Sequence, residues 1–417
     1  MTQTSHSEQS IYFSPILPWQ KGAWARLLER YDRLPHGLLF SGMQGIGKRA
    51  FVWRFVAWLL CDNRESRLNL PADQQVGCGQ CQSCQWLASG THQDLQVLPA
   101  ASLPVEIDSE QEQGSTTKSG SQSKKGATKN SKAKAGSKAA KSETASTSIK
   151  VDDIRQLQPF MSQGSSGRRV CVIDNADSMT VAAANALLKT LEEPRDGIHV
   201  LLISDMPARL LATIKSRVQQ VSVYPIQRLA QAGSQDESQA ASDSAGSHLS
   251  QRDQQINSIH DYLMQAVKEQ ALLEYTDEDD LAQQISQALT LANGAPLAAL
   301  EMLSSSWYSF RQIWLNAWIA LRTGRRSSVA ASDYWQKTLA IEEFVKLSEF
   351  MLMDLSRLNL GVPSLQTDIE FDEQTIQLPQ EKIYAVLAVI NDIKQACQQN
   401  VQDKMAYDHL LAELARL

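Results

Sequence analysis

The chain has 417 residues, 43% hydrophobic and 21% charged, enough to bury more than one core, and length alone argues for about three domains. Lys+Arg 40 against Asp+Glu 46 gives a net charge of -6, which argues against a uniformly basic nucleic-acid binder. Six cysteines are too few for a disulfide-scaffolded secreted mini-domain, no apolar run reaches the ~20 residues that span a bilayer, and Met1 to Ser10 lacks the apolar region of a secretory signal, so a soluble cytoplasmic protein is expected.

In chain order, Gly37–Phe40 reads as a short apolar strand, followed by a glycine-rich turn and a helix over Arg49–Leu60. The stretch from about 100 to 148 is acidic, then lysine-rich, and almost free of branched apolar residues, so it is expected to be a disordered insertion. Arg169–Ile173 and His199–Ser204 are further apolar strands, and Val218–Tyr224 alternates enough to be a fourth. Between the second and third lies a helix over Thr180–Glu193, with Thr180 as cap, Ala184, Leu187, Leu188 and Leu191 as its apolar face, and Pro194 at its end. This alternation predicts an α/β domain with a mainly parallel sheet. Residues 230–255, rich in Gln, Ser, Ala, Asp and Gly, read as a disordered linker. From Ile256 the pattern is helical throughout: Leu281–Ala292, Trp307–Leu321, Asp333–Leu358, Pro379–Gln398 and Asp403–Arg416.

Gly42-Met43-Gln44-Gly45-Ile46-Gly47-Lys48 fits the phosphate-loop pattern G-x-x-x-x-G-K in its proper strand–turn–helix context. The next position needs a Ser or Thr hydroxyl to ligate Mg²⁺ but holds Arg49. Taken alone, the loop leaves nucleotide binding evenly balanced, and Arg49 weighs against productive Mg·ATP chemistry. The second strand ends in Asp174, as a metal-orienting acid should. Asn175 follows where a hydrolase of this architecture places a water-activating Glu, and Asn cannot take the proton. Asp177 reads as a turn residue before the next helix. Gly42, Gly45, Gly47, Lys48 and Asp174 therefore form a degenerate phosphate site, and ATP/Mg²⁺ binding in cis is not expected.

Cys61, Cys78, Cys81 and Cys84 have the spacing C-x16-C-x2-C-x2-C, which suits a closed tetrahedral Zn²⁺ site of structural role. Disulfides are the weaker alternative in the cytosol, and a [4Fe–4S] cluster has no other support. His92 reads as a nearby loop residue, and Cys171 and Cys397 as buried or incidental thiols. Arg217, in Thr213-Ile214-Lys215-Ser216-Arg217 before the fourth strand, reads by spacing alone as an exposed salt-bridging residue.

Three stretches together resemble the delta-prime subunits of the bacterial DNA polymerase III clamp loader. These are Asn185-Ala186-Leu187-Leu188-Lys189-Thr190-Leu191-Glu192-Glu193-Pro194, then Arg209 to Arg217, and the four-cysteine insertion ending in Gly90-Thr91-His92. Ile149 to Arg155 resembles the helix start that follows the cysteine module. The resemblance covers most of residues 11–225 and is diffuse beyond, where Gly294-Ala295-Pro296 is the clear landmark.

The resemblance implies an AAA+ (P-loop NTPase-like) domain over 1–229, with a zinc module at about 61–90. A helical lid over 256–304 and an all-α collar over 305–417 would follow the linker. It implies a hetero-pentamer with gamma/tau ATPase subunits and a delta subunit, acting on a sliding clamp and primed DNA as an accessory part of a DNA-directed DNA polymerase holoenzyme, with no membrane. Ser216-Arg217 matches the family's Ser-Arg-Cys motif, with Val218 in place of Cys, so Arg217 is expected to act in trans as an arginine finger. Gly294-Ala295-Pro296-Leu297 lacks the sensor Arg of ATP-binding relatives. Two other readings compete. A gamma/tau-like ATPase motor is opposed by Arg49, Asn175 and the arginine-free 294–297 stretch, and a freestanding zinc-dependent DNA-binding protein by the net charge and the lack of an aromatic-basic patch.

Overall fold

Strands that are nearly all apolar must be covered on both faces, and Gly37–Ser41 and Ile198–Ser204 are buried throughout. The computed structural model describes residues 10–104, 148–162, 167–223, 245–273, 275–369, 371, 378–397 and 402–417. Among them are β1 (Gly37–Ser41), β2 (Leu95–Leu98), β3 (Arg169–Ile173), β4 (Ile198–Ser204) and β5 (Gln219–Ser222). All pair in parallel in the order β2-β3-β4-β1-β5, with Phe40 opposite Ile203 and Ile173 opposite Leu202. β1 and β4 are buried along their whole length, whereas the edge strands β2 and β5 are only partly covered.

The helices of this α/β domain are α1 (Lys21–Glu29), α2 (Lys48–Leu60), α3 (Gln82–Ala88), α4 (Val151–Ser162), α5 (Val181–Glu192) and the short α6 (Ala212–Lys215). One face of the sheet packs Leu39, Ile173 and Leu202 against Ile154, Leu157, Leu187 and Ile214 of α4, α5 and α6. The other face is aromatic. Phe40 meets Phe51 and Phe55 of α2 at ring distances of 5.9 and 6.1 Å, and Trp24 of α1 stands edge-on to the same two rings. α2 is buried on nearly all sides from Phe51 to Leu60, as a helix apolar all round must be.

The chain divides into two compact units, Met1–Gly42 with Lys48–Val223, and Met43–Gly47 with Tyr224–Leu417. The second is helical: α7 (Ala245–Gln270), α8 (Glu278–Leu291) and α9 (Pro296–Ser304) pack on one another. α10 (Ser306–Ser309), α11 (Arg311–Arg322), α12 (Ser328–Thr338), α13 (Ile341–Asn359), α14 (Gln380–Cys397) and α15 (Asp403–Ala415) share a core built on Trp314, Trp318, Trp335, Phe344 and Tyr407. The buried indole N–H groups of Trp314 and Trp318 donate to Ser348 Oγ (2.9 Å) and the Leu414 carbonyl (3.0 Å). No helix among the described residues is long and apolar enough to cross a membrane.

The expected α/β-then-helical order holds, with differences in detail, among them that the single segment expected over Trp307–Leu321 is split at Phe310 into α10 and α11. β2 is a fifth strand the sequence reading lacks. Residues 245–255, expected as linker, are the first turns of α7, so the helical region begins earlier than Ile256. The single helix expected over Asp333–Leu358 is broken at Leu339 and Ala340, both in extended backbone, where the buried Tyr407 hydroxyl donates to the Leu339 carbonyl. Most of the expected disordered insertion (105–147) and the first part of the expected linker (to 244) lie outside the described residues.

Candidate functional site

Gly45 and Gly47 have φ of 80° and 81°, a left-handed backbone that glycine adopts without cost and that makes the turn after β1 possible. Within the second unit, the Gly45 carbonyl accepts the N–H groups of Leu297 (2.9 Å) and Ala298 (3.3 Å) at the start of α9. A Cβ at position 45 would fall 2.4 Å from that of Ala298. The N–H groups that open α9, a ready anion site in an exposed helix, are thus committed to the loop's own backbone. Gly294 closes α8 with φ 79° and Pro296 opens α9, and no arginine lies in this turn.

In the first unit the loop's two cations are both paired. Lys48 is 4% exposed with Nζ 2.5 Å from Asp205 Oδ1 at the end of β4. Burial pushes its ammonium below the ordinary lysine range, and Asp205 opposes that shift. Arg49 Nε donates to both oxygens of Asp174 (3.0 and 2.8 Å), and its Nη2 donates to Asn175 Oδ1 at 2.9 Å. Asp174 is buried, so the guanidinium neutralises a carboxylate that a divalent cation would otherwise need. A guanidinium has no lone pair and no open coordination position, so it pairs with the carboxylate as a single positive charge and offers no Lewis acidity. Asn175 sits at φ 53°, a region that Asn tolerates better than Glu, and its N–H donates to Asp174 Oδ1 at 2.9 Å. Asp177 Oδ1 accepts the Asp205 N–H at 3.3 Å, tying the turn after β3 to the end of β4.

Cys61 follows directly on α2, Cys81 is the N-cap of α3 and Cys84 lies in its first turn. The four Sγ atoms of Cys61, Cys78, Cys81 and Cys84 all lie within 4.8 Å of one another, with Cys61–Cys81 at 4.0 Å and Cys78–Cys84 at 3.9 Å. Sulfurs about 2.3 Å from a tetrahedral centre are about 3.8 Å apart, so the set is placed to bind a metal ion. Backbone N–H groups of Cys78, Cys81 and Cys84 point at the sulfurs of Cys61, Cys78 and Cys81 at 3.4, 3.2 and 3.4 Å, favouring thiolates. The hydrogen bond from Cys84 lowers the Cys61 thiol to about 5, while Cys84 itself is pushed up by that bond and by burial. Without a cation one thiolate suppresses the next, and a divalent ion removes that conflict. His92 stays outside the cluster: its Nε2 is 2.8 Å from Ser83 Oγ and its Nδ1 accepts the Asp94 N–H at 3.1 Å.

Arg217 lies just beyond α6, its N–H bonded to the Ile214 carbonyl. Its Nη1 donates to the Thr213 carbonyl (3.0 Å) and Ser216 Oγ (3.3 Å), and its Nη2 pairs with Glu192 Oε1 at 2.6 Å. The Arg217 side chain is 36% exposed. Two partners were missed in the sequence: Asp205, which follows β4 with no motif to mark it, and Glu192, which stands inside a quoted motif without an assigned role.

A parallel sheet in the order β2-β3-β4-β1-β5, with a glycine loop and Lys48 after β1 and an acid after β3, is the AAA+-like fold of P-loop nucleotide hydrolases, here with an arginine on its acid. Through residues 20–227 the chain belongs to the family described as DNA polymerase III, delta subunit. It is 37% identical over 213 residues to DNA polymerase III subunit delta' of Pseudomonas aeruginosa, covering 50% of this chain and 49% of that one. The subunit of the same name from Escherichia coli is 28% identical over 204 residues, covering 48% and 46%. DNA polymerase III subunit tau/gamma of Haemophilus influenzae is 28% identical over 193 residues, covering 45% of this chain but 20% of that one. The chain spans about half the length of the delta' relatives it matches.

Proposed function

We propose that this protein is a non-hydrolysing delta-prime subunit of the DNA polymerase III clamp loader. It helps assemble a hetero-pentamer with gamma/tau ATPase subunits and delta, and it lends Arg217, supported by Ser216, to a neighbour's ATP site so that the sliding clamp is loaded onto primed DNA. The observation that carries the reading is the Arg49–Asp174–Asn175 contact: the place of the catalytic metal and that of the base are both held by groups that can do neither job. Lys48 on Asp205 and Gly45 on the start of α9 support it further. Cys61, Cys78, Cys81 and Cys84 would hold a structural Zn²⁺, which supplies a closed tetrahedral crosslink between the ends of α2 and α3. In this reading α7–α9 are the lid and α10–α15 the collar, and the protein works in the cytoplasm as a polymerase accessory subunit. The gamma/tau motor reading is opposed by the same contacts.

The test is ATP turnover by the isolated chain, by the ATPase subunit it captures in a pull-down, and by the two with delta, each with and without primed DNA. The expected result is no turnover above a buffer blank for the chain alone, and stimulated turnover for the complex. Mg²⁺-dependent turnover by the isolated chain that Lys48→Ala abolishes would overturn the reading.

A further inference from the structure

An arginine that serves another subunit's phosphate has to be placed before that subunit arrives, because a long flexible side chain loses rotamer freedom when it is fixed. From the ion pair at 2.6 Å between Glu192 Oε1 and Arg217 Nη2 we infer that Glu192 is the positioning residue for Arg217. The inference rests on the proposed trans role of Arg217 and adds the group that aims it.

The geometry has two halves. The backbone of Arg217 is anchored by its own N–H to the Ile214 carbonyl at 2.9 Å, and α6 before it is packed into the core through Ile214. That leaves the guanidinium at the end of a flexible stem. Nη1 is held from the arginine's own segment, by the Thr213 carbonyl and Ser216 Oγ. Nη2 is held from a different element, by the last residue of α5, whose other end is capped by Thr180 and whose apolar face packs on α4. The planar fork is thus contacted from two elements rather than one. Among the described residues the Nε–H carries no hydrogen bond, so one donor edge is left for an incoming phosphate oxygen.

Glu192 and Arg217 are 46% and 36% exposed, so the pair adds little to folding stability, and its value lies in where it puts the donor. Among the described residues the carboxylate's one charged partner is the Arg217 guanidinium.

The assembled loader supplies the test, with DNA-stimulated ATP turnover measured for Glu192→Ala, Glu192→Gln, Arg217→Ala and the Glu192→Ala/Arg217→Ala double variant. Relative to the gap in kcat between wild type and Arg217→Ala, Glu192→Ala is expected to lose about half or more with KM unchanged. Glu192→Gln, which keeps the length of the side chain but not the charge of the ion pair, is expected to restore little of it, and the double variant to match Arg217→Ala alone. Unchanged melting of each variant shows that the effect is not one of folding. Wild-type turnover by Glu192→Ala beside a slow Arg217→Ala overturns this inference and leaves the arginine's role standing, as does faster turnover, which would make the carboxylate a competitor of phosphate. Unchanged turnover by Arg217→Ala overturns both.

Discussion

Arg49 lies across Asp174 and Asn175, an ion pair between the loop helix and the end of β3. Arg49→Thr restores the hydroxyl a phosphate loop needs, yet Asn175 still lacks a base and Lys48 still faces Asp205. The expected outcome is no gain in ATP turnover and a loss of about 1 kcal/mol in urea unfolding, as Asp174 loses its partner. Asp205→Ala should cost more, about 2 kcal/mol, because Lys48 is 4% exposed and its carboxylate is removed. The apolar exchange Lys48→Met/Asp205→Leu should come back to within about 1 kcal/mol of the native midpoint, since swapping both partners of a buried pair removes the desolvation cost with the attraction. The sequence supplied Lys48 and Arg49 through the phosphate-loop pattern, and Asp174 and Asn175 through their place at the end of an apolar strand, each a local signal. It could not supply Asp205 or Glu192, because each is chosen by a contact between segments more than 20 residues apart, which exists only once the strands are ordered.

The cysteine cluster joins two helix ends, and its stability belongs to the segment it closes. About one metal ion should co-purify per chain, and Cys84→Ser or a chelator should raise amide exchange across residues 61–90 while leaving α5 protected. Metal-free, fully protected protein would contradict this. Thr180 Oγ1 accepts the Ala183 N–H at 3.2 Å, so Thr180→Ala should cost about 1 kcal/mol in thermal or urea unfolding. The elements that periodicity located well, β1, β3, β4, α2 and α5, are long apolar or amphipathic runs. β2 escaped because it is four residues with one exposed glutamine, a pattern too short to stand out. The start of α7 escaped because its composition is that of a linker. The α12–α13 break escaped because Leu339 and Ala340 are good helix formers, overridden by a hydrogen bond from Tyr407 that arrives from α15.

On the scale of the whole molecule, the α/β unit keeps an AAA+-like sheet in which Lys48 and Arg49 are paired with carboxylates of the same unit, and Arg217 lies beside Ser216. Under the proposed function such a protein contributes to ATP chemistry only in company. The most direct measurement is clamp loading onto primed DNA by the reconstituted loader containing Arg217→Ala, with Arg217→Lys beside it. The loader is expected to assemble normally and load clamps about 10²-fold or more slowly, since an arginine finger contributes about 10³–10⁵ in rate at the site it serves. Bulk turnover should fall less, and lysine should rescue poorly because an ammonium lacks the planar fork. An assembled Arg217→Ala loader with unchanged loading and unchanged ATPase would contradict the account.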